Sequence, residues 1–222
     1  MEIKIDDSVR KLGVFIAYRF IYDVRVEKSG ERLREEIRII TDTIRRKYCL
    51  NELRNDPIIR AYRKFLWKIG IDPTKTRPSS EALLRCILRG KALPSINNIV
   101  DIGNLVSIQT RISIGIYDLD RIEGSLVLRL SREGEEFSPI GSRKLVLRGN
   151  MVVLSDNKRI IHVYPYRDCL DTIITSNTKN ALAIGAGVPG IPRKHVFQAI
   201  ELLGKYIEKY SLGKLSEITL LS

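Results

Sequence analysis

The spacing of apolar residues changes along this chain, and no other feature restricts its fold as strongly. From Val14 to Val26 the apolar residues fall on alternate positions, which is the period of a half-buried strand. That run is long for one strand, so we expect it to bend or break between Arg19 and Asp23. In the following segment the apolar residues recur every three or four positions, which predicts an amphipathic helix over about 30–49.

Capping and helix-ending residues predict four further helices. Asn55 or Asp56 can cap a helix whose first turn contains Pro57 and which ends at Gly70. The apolar spacing predicts three others: one from Ser79 to Gly90, a short one from Ile99 to Ile108, and a last one from about Arg193 to Tyr210.

The second half of the chain is rich in short strand-like segments separated by turns that contain Gly, Asp or Asn. These segments are RISIGIYD, SLVLRLSR, KLVLRG, NMVVLSD, RIIHVYPY and NALAIGAG, and EITLL closes the chain as an edge or returning strand. Helices first and strands second predict an α+β architecture with a large, mostly antiparallel sheet system. We divide the chain into a strand and two helices over 1–76, packed on a main unit over 77–222.

Composition and cysteine usage exclude several classes of protein. A chain of 222 residues with 44% hydrophobic and 29% charged residues has a globular composition. The three cysteines are far apart and form no CxxC pair, which argues against a zinc knuckle or a disulfide framework. We find no leader segment and no apolar run long enough to span a membrane, so we expect a cytoplasmic protein without metal, cofactor or membrane partner.

Positive charge is concentrated in one segment. The formal net charge is +12, from 38 Lys and Arg against 26 Asp and Glu. Between Pro57 and Pro94 nine basic residues face only Asp72 and Glu81, so this segment alone carries +7. Such an excess of positive charge favours binding of a polyanion, nucleic acid above all. Adaptation to a hot habitat would also favour a composition rich in Arg and Ile.

Known catalytic signatures are absent from the sequence. There is no P-loop, no dinucleotide-binding fingerprint, no HExxH and no GxSxG, and GAGVPG at 185–190 is best interpreted as a turn. His162 and Cys169 could form a catalytic pair, but such a cysteine is more commonly a buried residue with a structural role.

Three polar clusters could carry function. In INNIVDIGNL, Asp101 and Asn104 share a helical face and could bind a substrate, whereas Asn97 or Asn98 could simply cap the helix. The acids of YDLDRIEG are better explained by a salt-bridged turn than by a metal site. The polar segment RDCLDTIITSNTKN lies between two predicted strands and is a candidate rim for a pocket.

These clusters, in this order, resemble the B3/B4 domain of the phenylalanyl-tRNA synthetase β subunit. The matching words are RPSSEALL, INNIVDIGNLVS, YDLDRIEG, SLVLRLSREGE and TKNALAI, which together span about half the chain, from Arg77 to Ala186. The helical segment AYRKFLWKIGIDPTKTRPSSEALL, residues 61–84, which we call the helical front, resembles that of free-standing members of the family. The resemblance implies a layered fold with a β-sandwich flanked by helices. It also implies a site that hydrolyses tyrosine wrongly esterified to tRNA, because binding alone discriminates poorly between similar amino acids and a second, hydrolytic step removes the errors.

The resemblance also implies a substrate pocket at five positions. Asn104 matches the pocket asparagine, Gly103 stands where the family has threonine, and Gly115 stands where it has histidine. Ile184 falls where the family has the glutamate that senses the tyrosine hydroxyl, and Tyr117 begins the YD word that flanks the pocket. Without that carboxylate a tyrosine-selective pocket is not expected. Two glycines in place of larger residues are expected to enlarge the cavity or to let the backbone approach the ligand.

The sequence therefore predicts a tRNA-binding protein that acts in trans on the charged 3′ end as an editing hydrolase, with no catalytic residue identified. The alternative is a non-catalytic protein with the same fold that binds RNA or an amino-acid-like ligand. Phosphate contacts are expected from the basic residues Arg60, Arg63, Lys64, Arg77 and Arg85. The first three share one face of the helix that begins at Pro57, which predicts a continuous basic stripe there. Tyr62 and Trp67 could stack on a base, although packing in the core is the commoner role for both.

Overall fold

The computed structural model describes residues 1–222 and contains six helices and twelve strands. The helices are α1 (Asp7–Arg10), α2 (Glu31–Lys47), α3 (Pro57–Lys68), α4 (Ser79–Leu88), α5 (Asn98–Thr110) and α6 (Arg193–Tyr210). The first six strands are β1 (Ile3–Ile5), β2 (Phe15–Tyr22), β3 (Ile114–Asp118), β4 (Leu126–Leu130), β5 (Glu136–Phe137) and β6 (Leu145–Val146). The remaining strands are β7 (Val152–Ser155), β8 (Ile160–Val163), β9 (Arg167–Asp168), β10 (Ala181–Gly187), β11 (Lys214–Leu215) and β12 (Thr219–Leu221).

Two five-stranded sheets form the centre of the molecule. The first has the order β1-β4-β7-β8-β9, and the second has the order β11-β2-β10-β3 with β12 also paired to β2. Every pairing is antiparallel except that of β1 with β4. Side chains of both sheets line one small internal cavity, so the sheets face each other as a sandwich. The predicted α+β fold with a mostly antiparallel β-sandwich flanked by helices is confirmed.

Helices cover the second sheet on the side away from the sandwich interior. Helix α6 contacts β2 and β10, α5 contacts β3, and α2 and α4 pack in turn on α5. This arrangement explains the sequence of β10, whose seven residues are all buried and therefore show no alternation of apolar and polar positions. It also places the start of α5 and the end of β3 side by side.

Local chemistry sets the ends of the helices as expected. The Asp56 carboxylate accepts hydrogen bonds from the backbone N–H groups of Ile58 and Ile59, at 3.0 and 3.2 Å, at the start of α3. Gly70, with φ +72°, ends that region in a conformation that glycine adopts without strain. The first long strand ends at Tyr22, and Asp23 follows with φ +54°, which confirms the expected break.

Several expectations need correction. Trp67 is 58% exposed, so its expected packing in the core is wrong, whereas Tyr62 is fully buried and its alternative role in stacking on a base is wrong. Strands β1 and β9 were not predicted, and KLVLRG forms only the two-residue strand β6. The division at residue 76 stays a prediction; β2, from its N-terminal side, lies inside the second sheet. No helix is long and apolar enough to cross a membrane.

Candidate functional site

A cleft opens between α5, strand β3 and the segment that follows β9. We call it the α5 cleft; its volume is about 180 Å³, room for roughly a dozen waters if each needs about 10–15 Å³. Most of its lining is apolar, with isoleucines from four parts of the chain. The lining residues are Ile96, Val100, Gly103, Asn104, Ile114, Ile116, Tyr117, Ile140, Asp168, Cys169, Thr172, Ile173 and Ile174.

The predicted pocket residues are divided between this cleft and a second cavity. Gly103, Asn104 and Tyr117 line the α5 cleft. Gly115 and Ile184 are direct cross-strand neighbours of β3 and β10, and both line the cavity inside the sandwich. Tyr117 lines both spaces and forms the wall between them. The two positions at which the family would carry histidine and glutamate therefore adjoin each other, but they do not face the α5 cleft.

The expected enlargement at the two glycines is wrong. A Cβ atom on Gly115 would collide with the Tyr117 ring, and a Cβ atom on Gly103 would lie 2.7 Å from Cδ1 of Ile116. Neighbouring side chains have thus filled the space that the glycines leave. The cavity inside the sandwich is only about 10 Å³, the size of one water.

Three polar side chains meet at the wall between the two spaces. The Tyr117 hydroxyl donates to Oδ1 of Asp168 at 2.9 Å, and Nδ1 of His162 lies 2.8 Å from the same oxygen. Burial raises the pKa of Tyr117 well above its ordinary value, and the negative charge of Asp168 raises that pKa further. The sequence did not single out Asp168, but it lies in RDCLDTIITSNTKN, the candidate rim for a pocket, and this segment does line the cleft. Its place opposite His162 across the turn that joins β8 and β9 was not predicted.

Cys169 does not pair with His162. Its thiol is buried and lies 3.8 Å from the Asp171 carboxylate, and burial raises its pKa. A thiol with a raised pKa is a weak nucleophile, so the interpretation as a structural cysteine holds.

Asn104 is the polar residue of the INNIVDIGNL motif that remains free to bind. Its side-chain amide makes no hydrogen bond within the protein, and it lines both the α5 cleft and a neighbouring cleft beside α2. The other polar residues of this word have structural roles. Asn97 accepts from the N–H of Val100 at 2.9 Å and caps α5, while Asp101 accepts from Ser29 Oγ and the N–H of Ile96.

The YDLDRIEG word forms the salt-bridged turn that the sequence predicts. The buried carboxylate of Asp118 accepts from Thr178 Oγ1 at 2.6 Å and from the N–H of Asp120 at 3.1 Å. Arg121 lies 3.6 Å from the same carboxylate. These contacts fix the end of β3 and, through it, the position of Tyr117.

The expected basic stripe on α3 is interrupted at Arg63. This guanidinium makes two hydrogen bonds, at 2.9 and 2.8 Å, to the carboxylate of Glu81, which is fully buried. Arg85 and Arg77 lie 3.6 and 4.0 Å from the same carboxylate. Arg60 and Lys64 are exposed. Arg63 therefore stabilises the packing of α3 against α4, and its charge is already paired.

A groove with strongly positive walls lies beside α4. We call it the basic groove; its volume is about 550 Å³ and no carboxylate lines it. Burial lowers the pKa of Arg85, and repulsion from Arg77 lowers it further in spite of the nearby Glu81. Such mutual repulsion indicates a field that favours a polyanion. The basic side chains of the groove are Lys75, Arg77, Arg85, Arg89, Lys91 and Arg167.

The basic groove and the α5 cleft lie on opposite sides of the edge strand β9. Arg167 lines the groove and Asp168, the next residue, lines the cleft, because successive side chains of a strand point to opposite faces. The β5–β6 hairpin spans the same boundary, with Ile140 in the cleft and Leu145 in the groove. A basic groove and an apolar cleft are thus separated by one strand.

These features define an α+β sandwich domain with an apolar cleft at one sheet edge and a basic groove behind it. Residues 61–210 match the B3/4 domain family, and the chain belongs to that family.

The chain is similar to parts of much larger proteins. It is 31% identical over 97 residues to the phenylalanine–tRNA ligase beta subunit of Fusobacterium nucleatum, a match that covers 44% of this chain and 12% of the relative. It is 25% identical over 131 residues to the beta subunit of Symbiobacterium thermophilum, covering 59% and 15%. The chain therefore matches only about one seventh of the length of these relatives.

A solved structure supports the same fold. An N-terminal fragment of the phenylalanyl-tRNA synthetase beta subunit from Pyrococcus horikoshii superposes with a TM-score of 0.52 at 12% identity. The superposition covers 96% of this chain and 50% of that fragment, so it includes the helical front as well as the sandwich.

Proposed function

We propose that this protein binds tRNA along the basic groove and hydrolyses a wrongly attached amino acid from the charged 3′ end in the α5 cleft. The observation that supports this most directly is the arrangement around β9, where Arg167 faces the groove and Asp168 faces the cleft. A nucleic acid whose phosphates lie in the groove would have to reach only across one strand to deliver its terminal ester. The names of the relatives agree with a tRNA ligand.

The basic groove suits the phosphate backbone better than the α3 stripe does. Of the five predicted RNA-binding residues, Arg77 and Arg85 line the groove, where four further basic side chains join them. Arg85 lies in the last turn of α4 and Arg89 is the C-cap residue of the same helix, four positions further on. Contacts of this kind give salt-dependent affinity with little sequence discrimination.

Hydrolysis in the α5 cleft would proceed by direct attack of water. Cys169 lines the cleft as a buried thiol with a raised pKa, no serine lines it, and the Thr172 hydroxyl has no hydrogen-bonded base to activate it, so we propose no covalent intermediate. The Asn104 amide offers both a donor and an acceptor, and it would orient the ester or the terminal ribose. Backbone N–H groups would stabilise the developing oxyanion.

The aminoacyl group is expected to differ from the tyrosine that the family resemblance implies. At the position of the hydroxyl-sensing glutamate stands Ile184, which lines the cavity inside the sandwich and offers no hydrogen bond. The α5 cleft itself is lined mainly by aliphatic side chains. An apolar acyl group fits such walls, because burying it removes apolar surface from water.

The deciding experiment is release of amino acid from a panel of cognate and mischarged tRNAs at catalytic protein concentration. Turnover on one or two species is expected. Binding of uncharged tRNA without release from any charged species would instead establish the non-catalytic alternative, which the missing histidine and glutamate equivalents favour.

A pair of charge variants tests where tRNA binds. Lys75, Arg89 and Lys91 are exposed groove residues without ion-pair partners, and their joint replacement by Gln should lower tRNA affinity. The slope of log affinity against log salt should fall by about 2, at roughly 0.7 per lost phosphate contact on a single strand. The control replaces Arg60, Lys64 and Lys68 on α3 by Gln, which removes the same charge. An equal loss in the control would move the interface to α3.

A further inference from the structure

The α5 cleft contains three polar side chains whose hydrogen-bonding capacity the protein leaves unused. Asp168 is the only charged side chain that lines the cleft. Its Oδ1 accepts from Tyr117 and lies 2.8 Å from Nδ1 of His162, whereas no hydrogen bond reaches its Oδ2. Asn104 has a free amide, as described above. The third group is the hydroxyl of Thr172, which is fully buried and has no hydrogen-bond partner.

A buried hydroxyl without a partner is costly, and it is uncommon in a folded protein. Thr172 lies four residues after Asp168 and lines the same cleft. A ligand that brings a polar atom to Thr172 would give the hydroxyl its partner. The other lining side chains are mostly isoleucines, so the remainder of the ligand must be apolar.

The charge expected of the ligand's polar group follows from the chemistry of Asp168. An ionised carboxylate only accepts hydrogen bonds, so the partner of Oδ2 must be a donor. No Lys or Arg lines the cleft to neutralise this carboxylate, and the His162 ring contacts only its Oδ1. A cationic donor on the ligand would therefore be favoured over a neutral one, because charge-assisted hydrogen bonds are the stronger kind.

We infer that the α5 cleft binds an apolar α-aminoacyl group, with its ammonium on Asp168 Oδ2, its acyl carbonyl at Asn104, and Thr172 contacting the same polar end. This inference rests on the proposed function and names its substrate class: an amino acid with an aliphatic side chain, recognised by its free amine. Asp168 acts here as a specificity-determining residue that binds the substrate. His162 and Tyr117 hold the Asp168 carboxylate in place through its other oxygen.

The test uses the whole protein and two small probes that differ only in the amine. Leucine methyl ester carries the ammonium, and methyl 4-methylpentanoate has the same skeleton without it. Binding is measured by calorimetry or ligand-observed NMR at about pH 6, below the ordinary pKa of an α-amino group, about 7.7–8. We expect the amino ester to bind about tenfold or more tightly than its analogue, the range of a charge-assisted hydrogen bond. Equal affinities, or no saturable binding of either probe, would overturn the inference.

Matched variants assign the effect to the two residues. Asp168→Asn keeps the size of the side chain and should abolish the preference for the amino ester. Asp171→Asn removes an exposed carboxylate that does not line the cleft, and it should keep the preference. Thr172→Val should weaken binding of the amino ester several-fold while the thermal midpoint stays level or rises, because a buried hydroxyl without a partner has been removed. Should Asp168→Asn not fold, the probe comparison and Thr172→Val still decide the matter.

The result is separable from the proposed function because no tRNA and no hydrolysis enter the measurement. Selective amine binding without any release from charged tRNA would leave the ligand assignment standing and remove the enzymatic proposal. Release from charged tRNA that Asp168→Asn leaves unchanged would keep the enzyme and reject Asp168 as its amine-binding residue.

Discussion

Asn104 is half-buried at the junction of two clefts and has no intramolecular partner for its amide. Its replacement by Ala should slow any release of amino acid from charged tRNA by about 100-fold, the effect of losing one donor near a reacting carbonyl. Affinity for uncharged tRNA should stay the same, because the residue does not line the basic groove. Single-turnover deacylation and a filter-binding titration measure the two quantities.

The control for this variant is Asn177→Ala, which removes an exposed amide from a loop outside the cleft. It should leave both quantities unchanged. Unaltered release in Asn104→Ala would place the reacting ester elsewhere.

Glu81 is the single buried acid among three arginines. Its replacement by Ala leaves Arg63 and Arg85 close together without the carboxylate between them, and removing one partner of a buried pair costs about 3–5 kcal/mol. We expect the free energy of unfolding to fall by about the lower figure, since both guanidinium groups are partly exposed. Urea unfolding measures this loss.

The control is the surface variant Glu123→Ala, which breaks pairs with Lys158 and Arg159 and should cost less than about 1 kcal/mol. Similar losses in the two variants would contradict the structural role of Glu81.

At the scale of elements, the start of α5 connects three parts of the chain. Asn98 accepts from the N–H of Glu27 at 3.0 Å and donates to the carbonyl of Arg25 at 2.9 Å and to Ser211 Oγ at 3.2 Å. It therefore ties α5 to the segment after β2 and to the end of α6. Asn97, by contrast, serves α5 itself by capping its first turn.

This difference predicts unequal losses of stability. Asn97→Ala should cost about 1 kcal/mol, the usual value for a helix cap. Asn98→Ala should cost more, about 2–3 kcal/mol, because it removes three hydrogen bonds at once, to the backbone of Glu27 and Arg25 and to Ser211. Denaturant midpoints of the two variants give the order, and a larger loss for Asn97→Ala would contradict it.

Elements with strong periodicity and clear caps could be predicted from the sequence. Helix α6 was expected from Arg193 to Tyr210 and has those bounds, because its apolar stripe faces β2 and β10 along its length. Strand β9 could not be predicted, because two residues carry no periodicity. Its pairing with β8 is nevertheless what brings Asp168 to His162, so the key carboxylate of the cleft was missed with it.

At the scale of the whole molecule, the location of charge was predictable but its pairing was not. The excess between Pro57 and Pro94 correctly indicated one basic surface, which includes Arg77 and Arg85. The partner of Arg63 is Glu81, eighteen residues further along, and only the packing of α3 against α4 makes that contact. The two glycines show the same limit, since the side chains that fill their space come from neighbouring positions of β3.

Three buried tyrosines at the sandwich predict how stability depends on pH. Burial raises the pKa values of Tyr62, Tyr117 and Tyr164. In the unfolded chain these phenols lose their protons near pH 10, whereas in the folded protein they keep them to higher pH. The contribution to stability is therefore complete below about pH 10 and is lost as pH rises towards the folded pKa values.

The expected loss approaches about 4 kcal/mol per pH unit above pH 10, or roughly 1.4 kcal/mol for each of the three groups. Urea unfolding between about pH 8 and pH 11 measures it, with tyrosinate absorbance recorded in parallel. The absorbance of these three groups should rise together with unfolding. A rise that precedes unfolding would show that their protons leave the folded protein freely.

The two-residue strand β9 also restricts how this protein can change during evolution. Adding or removing a single residue between Tyr164 and Arg167 would turn the strand over and exchange its two side chains between groove and cleft. A carboxylate would then stand among the basic side chains of the groove and a guanidinium among the isoleucines of the cleft. The turn can therefore vary in length only in steps of two, and a lineage that altered it by one residue would reverse the polarity of both sites in a single event.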